Sequence, residues 1–100
     1  MTYRIIFKYQ ARQDVIKVVD YIEHELFMPI AAGRFARGIF ARIDELKSTA
    51  HVFGISTYKD ILKYDPAARH VNYKGFVIIY SIHSNFVIVH RIIHGSLIKC

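Results

Sequence analysis

Arg69, His70, Tyr73, Lys74, His90, Arg91 and His94 crowd the last third of the chain, and theirs are the types and spacing that could do chemistry. Guanidinium, ammonium and imidazole groups interleaved with tyrosine suit three kinds of ligand: phosphates, stacked bases or an acidic peptide. Arg91 interrupts an apolar stretch, with Phe86-Val87-Ile88-Val89 before it and Ile92-Ile93 after. A charge in that setting must emerge at an edge, pair with a carboxylate or face a partner. His94 stands just before Gly95, where an imidazole at a groove rim could serve acid–base chemistry or donate a hydrogen bond. A strand end whose glycine permits a turn is the simpler account of the same pair. Arg69 and Arg91, taken singly, also fit ordinary ion pairs at a sheet edge, which contribute little.

Other catalytic constellations fail on spacing. The five glycines stand at 33, 38, 54, 75 and 95, too scattered for a phosphate-cradling loop. No metal site is expected: clustered Cys and His ligands are missing, and His90 and His94, four apart on one strand parity, would lie about 13 Å from each other. No Gly-x-Ser-x-Gly signature supports a serine nucleophile. The carboxylates at Glu23, Glu25, Asp44 and Glu45 belong to solvated helix faces. No cofactor is implied.

Composition narrows the class. Apolar residues make up 53% of the 100-residue chain and charged ones 22%, which excludes disorder. The length fits one domain, residues 1–100. Fourteen basic residues against eight acidic ones give a net charge of +6, which favours an acidic partner: nucleic acid, an anionic membrane face or an acidic peptide. Cys100 is the one cysteine, so no intrachain disulfide can form, and a reducing compartment fits. Arg4, Lys8 and Arg12 break the N-terminal apolar stretch short of a secretory signal, and no segment approaches a membrane span. A cytoplasmic protein without a membrane partner is expected.

The elements that must position these residues follow from periodicity. Residues 2–9 carry Tyr3, Ile5, Phe7 and Tyr9 on one parity, which predicts a strand. Val15, Val18, Val19, Ile22 and Leu26 form the apolar stripe of a helix over about 11–28. Pro29 breaks it or opens a second helix over about 30–48, striped by Phe35, Ile39, Ile43 and Leu46. Residues 49–68 are irregular, with 58–62 as a short strand or a turn of helix. Three strands follow at 69–73, 76–82 and 86–93, separated by the turn pairs Lys74-Gly75 and Ser84-Asn85. The predicted fold is α+β, an antiparallel β-sheet with an N-terminal helical hairpin packed on it, in the order β-α-α-β-β-β.

These residues in this order resemble the ParE/RelE superfamily of bacterial type II toxins, especially the ParE branch associated with plasmid stabilisation. The resemblance runs through Ala11–Val15, Asp20-Tyr21-Ile22, Pro29-Ile30-Ala31-Ala32, Ile39 to Leu46, Gly54, Arg69, Phe76–Tyr80 and, most tellingly, the ending Arg91-Ile92-Ile93-His94-Gly95. It implies a cognate antitoxin whose acidic amphipathic segment wraps the toxin, giving a toxin–antitoxin hetero-oligomer. It also implies DNA gyrase as the target, inhibited by binding rather than by catalysis. Arg69, His70, Tyr73, Tyr80, Arg91 and His94 would then contact target or antitoxin. The alternative within the same superfamily is a ribosome-dependent mRNA endonuclease, with Arg69 and Arg91 on phosphate and His94 or His70 as acid or base. The family's nuclease arginines would fall near Val77 and Leu97, neither of them basic, and Ser96 and Leu97 stand where ParE arginines commonly follow His-Gly. A degenerate toxin that only binds its antitoxin is the third reading.

Overall fold

The computed structural model describes residues 2–98; Cys100 lies outside the described residues. Strand β1 (Arg4–Phe7) leads into helix α1 (Tyr9–Asp20), which widens into a π-turn at Tyr21–Glu25. Helix α2 (Pro29–Asp44) returns antiparallel to α1, starting on Pro29, where the missing N–H costs nothing. A short helix α3 (Leu46–Thr49), a 3₁₀ turn at Ala50–Val52 and a one-turn helix α4 (Lys59–Leu62) then precede strands β2 (Arg69–Tyr73), β3 (Phe76–His83) and β4 (Phe86–His94).

The sheet order is β1-β4-β3-β2. Neighbours β2, β3 and β4 are antiparallel, as their two-residue turns require. Lys74 and Gly75 carry positive φ (46° and 82°), and so does Ser84 (57°). β1, however, pairs parallel with β4, with Arg4 opposite Phe86 and Phe7 opposite Val89. The sheet is therefore mixed rather than wholly antiparallel, because the long crossover through the helices brings β4 in along the direction of β1.

The helical hairpin buries one face of the sheet. Val15 from α1 and Phe35, Ile39 and Ile43 from α2 pack on Ile78, Tyr80 and Val89. The opposite face is covered by α4 and its flanks, where Ile61 and Ala68 meet Val77 and Ile79. Cover on both faces explains why β3 is buried at every position from Val77 to Ser81 instead of alternating. The stripe predicted for the first helix ends before Leu26, which is exposed. The π-turn adds residues that rotate the stripe off the core, and Phe27 takes a left-handed φ of 55° to reverse the chain. No helix of the described residues is long and apolar enough to cross a membrane.

One edge needs special treatment. β1 stops at Phe7, so among the described residues strand β4 has no neighbouring strand on that side beyond Val89. Lys8 N–H donates to Val89 O at 3.1 Å, and the Ile92 N–H then donates to the Asp14 carboxylate at 2.9 Å. The same carboxylate accepts Arg91 Nε at 2.7 Å and Nη2 at 2.9 Å. Asp14 thus replaces the missing strand and neutralises the charge that interrupts β4. Asp14→Ala leaves an orphan amide and an unpaired guanidinium. Its expected cost is about 2–4 kcal/mol, slightly under that of breaking a fully buried pair because the Arg91 side chain keeps 29% exposure. Asp14→Asn, which still accepts the Ile92 N–H, costs less. Urea unfolding of the three proteins checks the order.

Candidate functional site

The residues expected to form one cationic surface are dispersed by the sheet. Arg69 lies opposite Tyr80 on the hairpin side of β2, where its guanidinium donates to the carbonyls of Phe53 and His51 and ties down the chain after α3. Tyr80 is fully buried, and its hydroxyl donates to Ala50 O at 2.7 Å. Burial pushes its pKa up to about 12. It is a core residue, not a contact surface. Tyr73 and His94 both lie opposite Phe76, at the other end of the hairpin face and about 13 Å along the strands from Arg69. There the His94 ring meets Phe76 edge-on at 5.3 Å and its Nδ1 hydrogen-bonds Ser96 Oγ at 2.7 Å. Tyr73 packs on Phe35, and its hydroxyl fills the space where a side chain at Gly38 would stand.

His70 and Arg91 stand apart from these. The register shift between Ile79 and Tyr80 places an irregularity in β4 around His90. It breaks the parity expected for His90 and His94: His90 turns to the α4 side and bonds Ser81 Oγ at 2.7 Å, whereas His94 turns to the hairpin side. Arg91 sits at the free edge of β4, between Asp14 and the Tyr64 ring. Asp14 and the hydrogen bonds it accepts raise the guanidinium's pKa above its ordinary value. Arg69, Arg91 and His94 therefore share no concave ground.

His70 lines a small cleft of about 200 Å³ with Tyr58, Asn72, Val77 and Gly95 on the α4 side of the sheet. Its Nδ1 is buried without a hydrogen-bond partner among the described residues, and burial lowers its pKa. A neutral imidazole there can accept or donate one proton. Among the described residues no cation lines this cleft to offset charge on a reacting phosphate, and Val77 is buried in its wall. Among the described residues no group of three or more His, Cys, Asp or Glu side chains could hold a metal ion.

An unpartnered apolar surface lies elsewhere, on the outside of the hairpin. Arg12, Ile16, Val19, Glu23, Ala36 and Phe40 line a groove of about 360 Å³ between α1 and α2. The hairpin tip continues the apolar character, with Phe27 83% and Ile30 75% exposed beside Leu26 and Met28. Ile16 and Phe40 fall off the core-facing stripes, and that is the signal in the sequence: each helix carries more apolar residues than one face can bury. Monomeric surfaces rarely leave such patches open without a partner.

Comparison with known proteins accords with this architecture. Residues 5–98 match the family described as the ParE toxin of the type II toxin–antitoxin system parDE. The fold is similar to a solved structure titled as the chromosomal ParDE toxin–antitoxin system from P. aeruginosa, with a TM-score of 0.77 at 15% identity over 93% of this chain and 96% of that one. It is also similar to a chain of the toxin–antitoxin complex RelBE2 from Mycobacterium tuberculosis, with a TM-score of 0.59 at 16% identity over 94% and 99% of the two chains. No curated protein matches the chain significantly in sequence.

The buried imidazoles generate a pH prediction. Desolvation lowers the pKa of both His70 and His90, the latter helped by the Lys8 charge. The unfolded chain therefore binds more protons than the folded one just below the ordinary histidine value of about 6.5, so this stability is complete above that pH and is lost as the pH falls through the folded values. The urea midpoint is expected to drop between pH 7.5 and 5.5, and to drop less in the double variant His70→Gln/His90→Gln. The exposed His24, whose pKa is raised by Asp20, acts with the opposite sign and cancels in that comparison.

Proposed function

Because the chain belongs to the ParE family of type II toxin–antitoxin toxins, we propose that it is held inactive by a cognate antitoxin seated on the helical hairpin, and that it inhibits DNA gyrase when released. The observation that carries the first half is the open groove between α1 and α2, with its apolar floor and the exposed tip beyond it. A helical segment with one apolar face fits such a groove by the ordinary helix-in-groove mode. The net charge of +6 and the exposed Arg34 and Arg37 on α2 favour acidic side chains on the other faces of that segment. An antitoxin segment that orders on binding offsets its lost entropy with this apolar burial and charge pairing. The complex is a hetero-oligomer in the cytoplasm, and the toxin acts as one domain.

Inhibition by binding, rather than RNA cleavage, is supported by the scatter of the cationic side chains. Arg69 and Arg91 are committed to Phe53 O and Asp14, and the positions that resemble nuclease arginines hold buried Val77 and exposed Leu97. The RelE-like alternative draws on one observation, the unpartnered His70 Nδ1. Purified toxin added to gyrase with relaxed plasmid, and in parallel to translating ribosomes with a reporter mRNA, separates the two. Blocked supercoiling with intact mRNA is the expected result, and site-specific mRNA cuts reject it. Inactivity in both assays with tight antitoxin binding points to a degenerate toxin.

The antitoxin half of the proposal expects a short partner encoded beside this chain, and that partner is the ligand to use. Ile16→Glu/Phe40→Glu places two carboxylates in the groove and is expected to weaken its binding by about 2 kcal/mol or more, roughly thirtyfold. Titration calorimetry reads the change, and unaltered affinity would move the docking site off the hairpin.

A further inference from the structure

A second concavity opens on the α4 side of the free β4 edge, about 400 Å³ in volume and lined by Lys8, Tyr9, Gln10, Lys63, Tyr64, His90 and Arg91. Its charges converge from separate parts of the chain. Lys8 immediately precedes α1, Lys63 follows α4, and Arg91 comes from the irregular segment of β4. Lys63 Nζ lies 5.3 Å from the centre of the Tyr64 ring and the Arg91 guanidinium 5.9 Å from the same ring, so two cations share one aromatic face or edge. Near this cleft Asp14 pairs with Arg91, and Asp65 with His83. Lys8 and His90 line the same cleft, and the Lys8 charge, after burial, helps hold down the His90 pKa.

We propose that this cleft binds the phosphate of a nucleotide through Lys8 and Lys63, with the base laid against Tyr9. Three features select that chemistry over a carboxylate of an acidic peptide. The one guanidinium is already engaged bidentately by Asp14, so the fork that recognises a carboxylate is occupied, while the two lysines remain as the point charges that suit phosphate. The volume lies in the range of small-molecule sites, about 300–1,000 Å³, rather than that of a single ion. Tyr9 is 71% exposed at the rim and offers a bare ring for stacking. The orphan amides of the first turn of α1, where Lys8 provides no side-chain cap, face the same end and add to the positive field. This proposal is independent of the antitoxin groove and of the gyrase reading.

The test is fluorescence anisotropy with a fluorescein-labelled ten-residue oligothymidylate, competed by AMP and, separately, by a pentaglutamate peptide. Lys8→Ala/Lys63→Ala is expected to weaken oligonucleotide binding at least tenfold and to lower the slope of log affinity against log salt by about 0.7, the value for one phosphate contact on a single strand. Tyr9→Ala is expected to weaken it about fivefold. Arg4→Ala/Lys17→Ala removes the same net charge from elsewhere on the surface and is expected to change it less than twofold. Both lysines of the cleft are exposed, so thermal unfolding should be unaltered. Full competition by AMP identifies a free nucleotide as ligand, and tight oligonucleotide binding that AMP does not displace identifies a polynucleotide backbone; both support the site. Equal losses in the two double variants, displacement of the oligonucleotide by pentaglutamate, or no oligonucleotide binding would each overturn it.

Discussion

A single carboxylate decides how the helices and the sheet of this toxin fit together. Asp14 accepts three hydrogen bonds from two consecutive residues of β4, two from Arg91 and one from the Ile92 amide. A backbone N–H at a strand edge and a guanidinium inside an apolar strand are both costly to leave without partners. One group placed on the second turn of α1 satisfies both. That placement fixes how far α1 runs along the sheet edge, and with it the position of α2 and the hairpin tip. It also removes Arg91 from the pool of cations available to a ligand.

The sheet then divides the molecule into two sides with different business. On the hairpin side the core takes one face of each helix, while Ile16 and Phe40 remain on the outer face of the same helices. Among the described residues no third layer covers that outer groove, so it stays open. On the other side the one-turn helix α4 and its flanks cover the sheet. To either side of α4 lie the small cleft at His70 and the larger cationic cleft at Lys8 and Lys63. An antitoxin on the hairpin and an anion beside α4 would occupy different surfaces, although Lys8 and Arg12 are only one helical turn apart.

Loop anchoring completes the second side. Asp65 accepts the Ala67 N–H at 2.8 Å and bonds His83 Nε2 at 2.8 Å, tying the segment after α4 to the end of β3. The Ala67 amide and, less strongly, the His83 contact hold the Asp65 carboxyl below the usual range. Arg69 performs the equivalent service on the hairpin side through the carbonyls of His51 and Phe53. Several of the charged residues that look functional by type are thus used to hold irregular backbone in place, since a buried carbonyl or amide without a partner is rarely tolerated.

By itself the sequence determined the element order and the core. The i, i+3, i+4 spacing of Val15, Val18 and Ile22 and of Phe35, Ile39 and Ile43, the dense β-branched run from Val77 to Ile82, and the turn pair Lys74-Gly75 each admit one local structure, because periodicity and turn geometry are local properties. The resemblance carried by Arg91 to Gly95 pointed to the family. Only the tertiary structure decided that β1 lies parallel to β4, that Tyr80 is core, that Arg69, Arg91 and His94 part company, and that Lys8 and Lys63 line one cleft. Those outcomes depend on strand register, and a shift of one residue in β4 moves every side chain beyond it to the other face. No local pattern encodes that shift, since the pairing that defines it joins residues far apart in the chain.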